Sequence, residues 1–369
     1  MTGQQHRILF IASHRKDRAP NQRFRFEQYI PYLEESGFEC TLSNIVSKED
    51  DAYLYSKGNY WKKYQFVRKS RKQRRIDLKK LHEYDVIFVC REALMTGSTF
   101  FEQAVSASRV PMVYDFDDAI WLMNVSKANR YFSFMKNPDK TRKIIEMADK
   151  VIAGNQYLSD YGIQFNPNAE IIPTTIDTDE YQPIERAAND PLIIGWSGSI
   201  TTIQHFQYAI PFLKELKAKC GDRIAFKVIG DKNYELPELG ITGLAWNKET
   251  EIQELCSFDM GIMPLPDDEW AKGKCGLKGL QYMALKIPTI MSPVGVNTEI
   301  IQHGENGYLA KDASEWVEAL SLLIEQPELR KKIGAAARDT VIREYSVEAN
   351  RDRYLELFKE MVNHGKRNN

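Results

Sequence analysis

Residues 272–307, KGKCGLKGLQYMALKIPTIMSPVGVNTEIIQHGENG, hold the densest chemistry in the chain. Two lysines, Lys274 and Lys278, flank a glycine-broken loop, and the pattern predicts a helix over 276–285. A short apolar strand over 288–291 follows, then a second small-residue loop, SPVGVN, and another helix from Thr298. Such a β-α-β-α unit directs two helix N-termini and two ammonium groups to one place. Helix N-termini carry partial positive charge and unbonded N–H groups, so the place suits a diphosphate.

The elements that must position it recur along the chain. At 369 residues the sequence fits two domains, with 43% hydrophobic and 27% charged residues, as in ordinary globular proteins. The boundaries are expected at 1–180 and 190–345, joined by an aperiodic, Thr-, Asp- and Pro-rich hinge over 174–191. Both halves read as strands alternating with helices, the doubly wound α/β pattern, which binds ligands at the carboxyl ends of its strands. In the first half, strands are expected at 7–12, 38–42, 85–90, 110–114, 150–153 and 170–173. Helices are expected at 24–36, 131–149 and 155–161, the first ended by Gly37. In the second half, strands are expected at 192–196, 224–229 and 259–264, with helices over 201–219 and 249–256. Three more are expected at 313–324, 327–344 and 347–362. Between the strand at 192–196 and its helix, the turn of Ser197, Gly198 and Ser199 offers N–H groups as a second phosphate contact.

Several first-half loops hold further candidates. SHRKDRAPNQRFR, after the first strand, lacks the glycine fingerprint of a dinucleotide site. Its arginines, Arg15, Arg18, Arg23 and Arg25, read equally as an anionic-acceptor site or as a solvated basic loop. Residues 51–81 mix eleven lysines and arginines with six aromatics. That mixture suits an anionic membrane surface; a solvated charged helix is the plainer reading, and RNA lacks an accompanying module. YDFDDAIW places Asp115 and Asp117 at a strand end, where a D-x-D pair can hold Mg²⁺ or bond sugar hydroxyls. Metal is disfavoured, because the phosphate site lies in the other half.

A net charge of −1 gives no general argument for nucleic acid or membrane. No apolar run reaches the ~20 residues of a spanning helix. MTGQQHRILFIAS passes straight into a strand, so no signal peptide is expected. Five scattered cysteines without a C-x-x-C pair argue against disulfides and structural zinc, and for a reducing cytoplasm. Of the six histidines none has metal-ligand spacing, and no Ser/His/Asp or Cys/His arrangement is visible.

The run GKCGLKGLQYMALKIPTIMSPVGVNTEIIQHGENGYLA resembles the donor-site signature of the family 4 glycosyltransferases. IGWSGSITT, WNKETEIQEL with FDMGIMPL, and YDFDDAIW resemble matching blocks of one bacterial branch. The resemblance implies two Rossmann-like domains facing across a cleft, the GT-B fold. It also implies a retaining sugar transfer from a nucleoside diphosphate sugar, usually without metal or other cofactor. The family's two glutamates fall at Gly273 and Gln281, and both are absent; Gln281 can still bond a ribose hydroxyl. Lys274, Cys275, Gly276 and Leu277 match the loop that wraps the sugar and diphosphate, with Lys278 one turn on. Glu299 matches a position facing the donor or is a helix-start charge, and Trp246 lies where the nucleobase is expected or is core. Gly198, Ser199 and Lys232 complete the expected donor site. Glu92 and Asp117, at strand ends, are the catalytic candidates; Arg15, Arg23 and Arg25 are the acceptor candidates.

The resemblance further implies that the last helix, 346–364, crosses back to the first domain. It also implies a glycan or lipid-linked acceptor, reached from the inner face of the plasma membrane through 53–80. A sugar-nucleotide epimerase or hydrolase, or a donor-binding partner subunit without activity, are the rival readings.

Overall fold

Two six-stranded parallel sheets organise the chain, one in residues 1–173 with 350–369 and one in 174–349. The computed structural model describes residues 5–56, 58–122, 137, 139–199 and 202–367.

The first unit contains β1 (His6–His14), β2 (Phe38–Val46), β3 (Val86–Cys90), β4 (Met112–Phe116), β5 (Lys150–Ala153) and β6 (Ala169–Ile171). Their order is β2-β1-β3-β4-β5-β6. β3 and β4 are buried at every position, as unbroken apolar strands covered on both faces must be. The chain leaves β1 toward β2 and then crosses to β3, so the crevice of this sheet lies at the carboxyl ends of β1 and β3. Helix Val347–Arg367 covers part of this sheet from Asn350 onward. Tyr354 packs on Tyr29 at 4.3 Å, and Phe358 on Phe10 at 5.8 Å.

Helix Tyr60–Lys79 carries the basic run. Its inner face is Lys63, Phe66, Ser70, Arg74 and Asp77, at helical spacing. Arg74 is therefore no surface charge: it is fully buried and donates to the carbonyls of Ala12 and Ala93 and to Asp77.

In the second unit the strands are β7 (Leu192–Ser197), β8 (Ile224–Gly230), β9 (Glu235–Leu236), β10 (Ile241–Thr242), β11 (Leu244–Ala245), β12 (Met260–Met263), β13 (Thr289–Met291) and β14 (Tyr308–Leu309). The order is β11-β8-β7-β12-β13-β14, with β9 and β10 a separate antiparallel pair. The switch point falls between β7 and β12. Phe212 stacks on Trp316 at 4.5 Å in the core, among Trp196, Phe206, Leu213 and Leu320.

Three expected helices are divided. The 201–219 stretch is a 3-10 turn, Ile203–Ala209, followed by helix Ile210–Cys220; Pro211 lacks the N–H that would continue the ladder. Pro31 likewise separates the 3-10 turn Glu27–Tyr29 from helix Ile30–Glu35. The 327–344 helix ends at Thr340 in a π turn, Val341–Tyr345. Of the 131–149 helix, Lys140–Met147 is present, while residues 131–136 and 138 lie outside the described residues.

Candidate functional site

At the carboxyl end of β7, a Cβ on Gly198 would lie 2.2 Å from the Trp196 ring and 2.7 Å from Thr202 Oγ1. Gly230, at φ +141, faces the Gly198 carbonyl, where a Cβ would come within 2.8 Å. Only glycine at both positions lets the ends of β7 and β8 close this tightly. The turn's N–H groups are already bonded, Gly198 to Ile229 O at 2.9 Å and Ser199 to Thr202 Oγ1 at 2.9 Å. This corrects the expectation that they offer phosphate contacts: the turn supplies close packing, not donors.

Across the switch point, helix Leu277–Ala284 begins at Gly276, whose φ is +69. Gly295, at φ +55, sits so near Lys272 O that a Cβ would approach to 2.7 Å. The two small-residue loops therefore interlock, and Asn297 Nδ2 ties the second one to Ser292 O at 3.0 Å. First-turn N–H groups, at Leu277 and Gly279, have no acceptor within the helix. Cys275, buried, precedes them and directs its Sγ at Gly273 O.

Lys278 Nζ lies 5.4 Å over the Trp196 ring, and Lys274 Nζ 4.8 Å over Trp270. His205 joins them. It is 8% exposed, and its Nδ1 finds no hydrogen-bond partner among the described residues. Burial, then Lys278 and Lys274, push the imidazole down to about 4, with Asp268 opposing. A buried neutral imidazole and two ammonium groups thus give the end of β7 a positive local field. From sequence, His205 reads only as a surface or core histidine near a motif. Its only signal was its place eight residues after the Ser197–Gly198–Ser199 turn begins, too little without the lysines beside it.

A second cluster adjoins through the same helix. Gln281, one turn after Lys278, donates to Tyr181 Oη at 2.9 Å and to Glu251 Oε1 at 3.2 Å. Trp246 Nε1 donates to the same Glu251 oxygen at 2.7 Å, and Tyr181 to Oε2 at 2.8 Å. The amide N–H₂ of Gln281, expected at a ribose, is therefore engaged inside the protein. Trp246 is half-buried, neither core nor freely presented. Lys232 is exposed after β8, and Glu299 is exposed in the four-residue helix Asn297–Ile300.

In the first unit the basic loop is largely internal. Arg25 is fully buried against Asp115 and donates to Ile172 O at 2.6 Å; Arg23 is 6% exposed and lies over Phe24. Neither is open to an acceptor, because both side chains are buried. Arg15 and Arg18 both reach Asp51, at 2.5 and 3.0 Å. The D-x-D carboxylates part company: Asp115 lies within β4 on Arg25, while Asp117 accepts from Arg91 Nε at 2.6 Å. Glu92 accepts from Lys140 at 2.7 Å, whose ammonium also caps Leu94 O and Thr96 O. Beside them His14 bonds Tyr55 Oη at 3.0 Å and is pushed down to about 4 by burial and Arg18.

These features define a two-unit α/β protein of GT-B fold with a cluster of basic side chains at the second switch point. Residues 191–326 match the profile of the family described as glycosyl transferases group 1. Trehalose synthase of Pyrococcus horikoshii is 33% identical over 86 residues, 23% of this chain and 21% of that protein. N-acetyl-alpha-D-glucosaminyl L-malate synthase of Bacillus anthracis is 27% identical over 117 residues, 31% of this chain and 30% of that protein. The chain thus matches less than a third of each curated relative's length. Among solved structures, sucrose-phosphate synthase of Thermosynechococcus elongatus superposes with TM-score 0.68 at 14% identity, over 96% of this chain and 99% of that one. Anabaena HepE in complex with UDP and glucose does so with TM-score 0.63 at 15% identity, over 95% and 99%. The resemblance to family 4 glycosyltransferases therefore stands, carried in sequence by the second unit and in fold by both units.

Proposed function

We propose that the protein is a retaining, metal-independent glycosyltransferase that moves a sugar from a nucleoside diphosphate sugar to a cell-surface glycan or lipid-linked acceptor. The observation that carries this reading is the grouping of Lys274, Lys278 and His205 at the end of β7. Breaking the bond at the anomeric carbon leaves negative charge on the diphosphate. Two ammonium groups and the N–H groups opening helix Leu277–Ala284 stabilise that charge where it develops. The leaving phosphate can itself accept the acceptor's proton. Glu92 and Asp117, each held by a cation, are proposed to orient sugar or acceptor hydroxyls. The UDP and glucose in the Anabaena structure support the donor class.

The membrane part of the proposal rests on helix Tyr60–Lys79, which exposes Tyr60, Trp61 and Tyr64 among Lys62, Arg68, Arg71, Lys72 and Arg75. Interfacial aromatics with basic neighbours suit an anionic lipid surface. No helix among the described residues is long and apolar enough to cross a membrane.

One observation favours a second reading. Gly273 and Gln281 stand where the resemblance implies glutamates, which suits a donor-binding subunit without turnover. Calorimetric titration with UDP-, GDP-, ADP- and TDP-sugars, on wild type and Lys278→Ala, tests the donor site. Binding of one donor that Lys278→Ala weakens supports it, and silence across the panel overturns it. Sugar transfer or donor hydrolysis by the binding-competent chain then separates enzyme from subunit.

A further inference from the structure

We infer that His205 is a third anion-contacting group of this site, one that takes up a proton when a sugar nucleotide binds. The inference rests on the donor-site reading above. Its geometric basis is a cluster: Lys278 lies 5.4 Å over the Trp196 ring, Trp196 packs on Phe206 at 5.7 Å, and Phe206 adjoins His205 in the 3-10 turn Ile203–Ala209, with Lys274 in the loop before the Lys278 helix. Asp268, which caps the short helix Glu269–Lys272, is the acid that faces the ring, and Tyr208 stacks beside it at 6.5 Å.

A structural histidine in a core ordinarily bonds both ring nitrogens. Here Nδ1 is buried and unbonded among the described residues, in a side chain at 8% exposure. Burial first, and then two neighbouring ammonium groups, keep this ring neutral when no anion is bound. A diphosphate reverses the local field, and the protonated ring, with two N–H donors, becomes the favoured form. His205 is thus a conditional cation: it adds no third charge to an empty site and supplies one to an occupied site. Donor affinity then rises as pH falls. If the ring moves from about 4 when free to its ordinary value of about 6.5 when bound, affinity at about pH 5.5 exceeds that at about pH 8 roughly ten-fold.

Calorimetry on the full chain with UDP-glucose, GDP-mannose, ADP-glucose and TDP-glucose tests this. Their diphosphate diesters hold a constant charge across that range, so proton uptake belongs to the protein. Each titration is run at both pH values, in two buffers of different ionisation heat. Wild type should bind one of them about ten-fold tighter at the lower pH, with uptake approaching one proton. His205→Gln should lose both effects, and His205→Lys should bind with flat pH dependence and no uptake. A donor that binds wild type and both variants with the same pH profile and the same uptake overturns the role of His205 and leaves the donor site standing. Failure of every sugar nucleotide to bind overturns the donor-site reading and this inference with it. Should His205→Gln unfold, proton uptake by wild type and the behaviour of His205→Lys decide the matter.

Discussion

Arg25 and Asp115 meet inside the first unit with neither side chain exposed, Nη2 and Oδ1 lying 2.5 Å apart. The pair joins the turn after β1 to the end of β4, and Arg25 Nη1 extends the tie to Ile172 O at 2.6 Å. Burial pushes the Asp115 carboxyl up and Arg25 opposes it, so the carboxylate depends on its partner. Arg25→Met should therefore cost about 3–5 kcal/mol in denaturant unfolding, because it strands a buried charge. Asp115→Leu added to Arg25→Met should recover most of that loss. A single-variant cost under about 1 kcal/mol would be at odds with a structural pair.

Lys278 lies over the Trp196 ring at the end of β7, 5.4 Å from its centroid. Lys278→Ala should weaken sugar-nucleotide binding by about ten- to a hundred-fold, the worth of one charged hydrogen bond, roughly 1.5–3 kcal/mol. Its unfolding free energy should stay within about 0.5 kcal/mol of wild type. Unchanged affinity would remove this lysine from the site.

Glu251 accepts from Trp246, Tyr181 and Gln281 at once. Glu251→Leu takes this acceptor from Trp246 and Tyr181 and leaves Gln281 with Tyr181 Oη, so it should cost at least about 2 kcal/mol, at roughly 1 kcal/mol or more for each of the two. Gln281→Met leaves Trp246 and Tyr181 on Glu251 and should cost only about 1 kcal/mol. Unfolding curves that rank the two variants the other way would show that Glu251 is not the centre of the network.

The strands were readable because buried parallel strands are continuous apolar runs, as at Ile87, Phe88 and Val89, and because glycines such as Gly276 punctuate the helix starts. The basic loop of the second unit was readable too, since Lys274 and Lys278 are neighbours in sequence. Arg25 was not. Ninety residues separate it from Asp115, and nothing local tells a buried arginine from a solvated one. Glu251 escaped for the same reason: it gathers Tyr181, Trp246 and Gln281 from three separate stretches. The Ser197–Gly198–Ser199 turn misled in a different way. Its composition is that of a phosphate loop, yet its donors are satisfied by Ile229 O and Thr202 Oγ1.

Helix Tyr60–Lys79 makes a prediction of its own. Trp61 is 67% exposed and stacks with Tyr64 at 5.5 Å on the side away from Phe66 and Arg74. The chain should cosediment with vesicles containing phosphatidylglycerol and not with pure phosphatidylcholine. Added salt should reduce the binding, since the basic residues act through screened attraction. Trp61→Ala with Tyr64→Ala should weaken it by at least ten-fold at unchanged helix content. Equal binding to both vesicle types would leave the exposed face as a solvated one.

Acid should destabilise the fold through its buried imidazoles. His205 is held near 4 by burial and by Lys278 and Lys274, whereas an unfolded chain titrates it near 6.5. As pH falls from about 6.5 the unfolded state takes up the proton first, so stability is lost progressively until about pH 4. The loss from His205 is at most about 3 kcal/mol, and none of it is felt above about pH 7. His14, also held near 4 but partly exposed, adds a smaller effect of the same sign in the first unit. Denaturant unfolding at a series of pH values, on wild type and His205→Gln, isolates the contribution. The two curves should run parallel above about pH 7, and between about pH 6.5 and pH 4 wild type should lose stability relative to the variant. Curves that stay parallel throughout would mean that the His205 imidazole is as easily protonated in the folded chain as in the unfolded one.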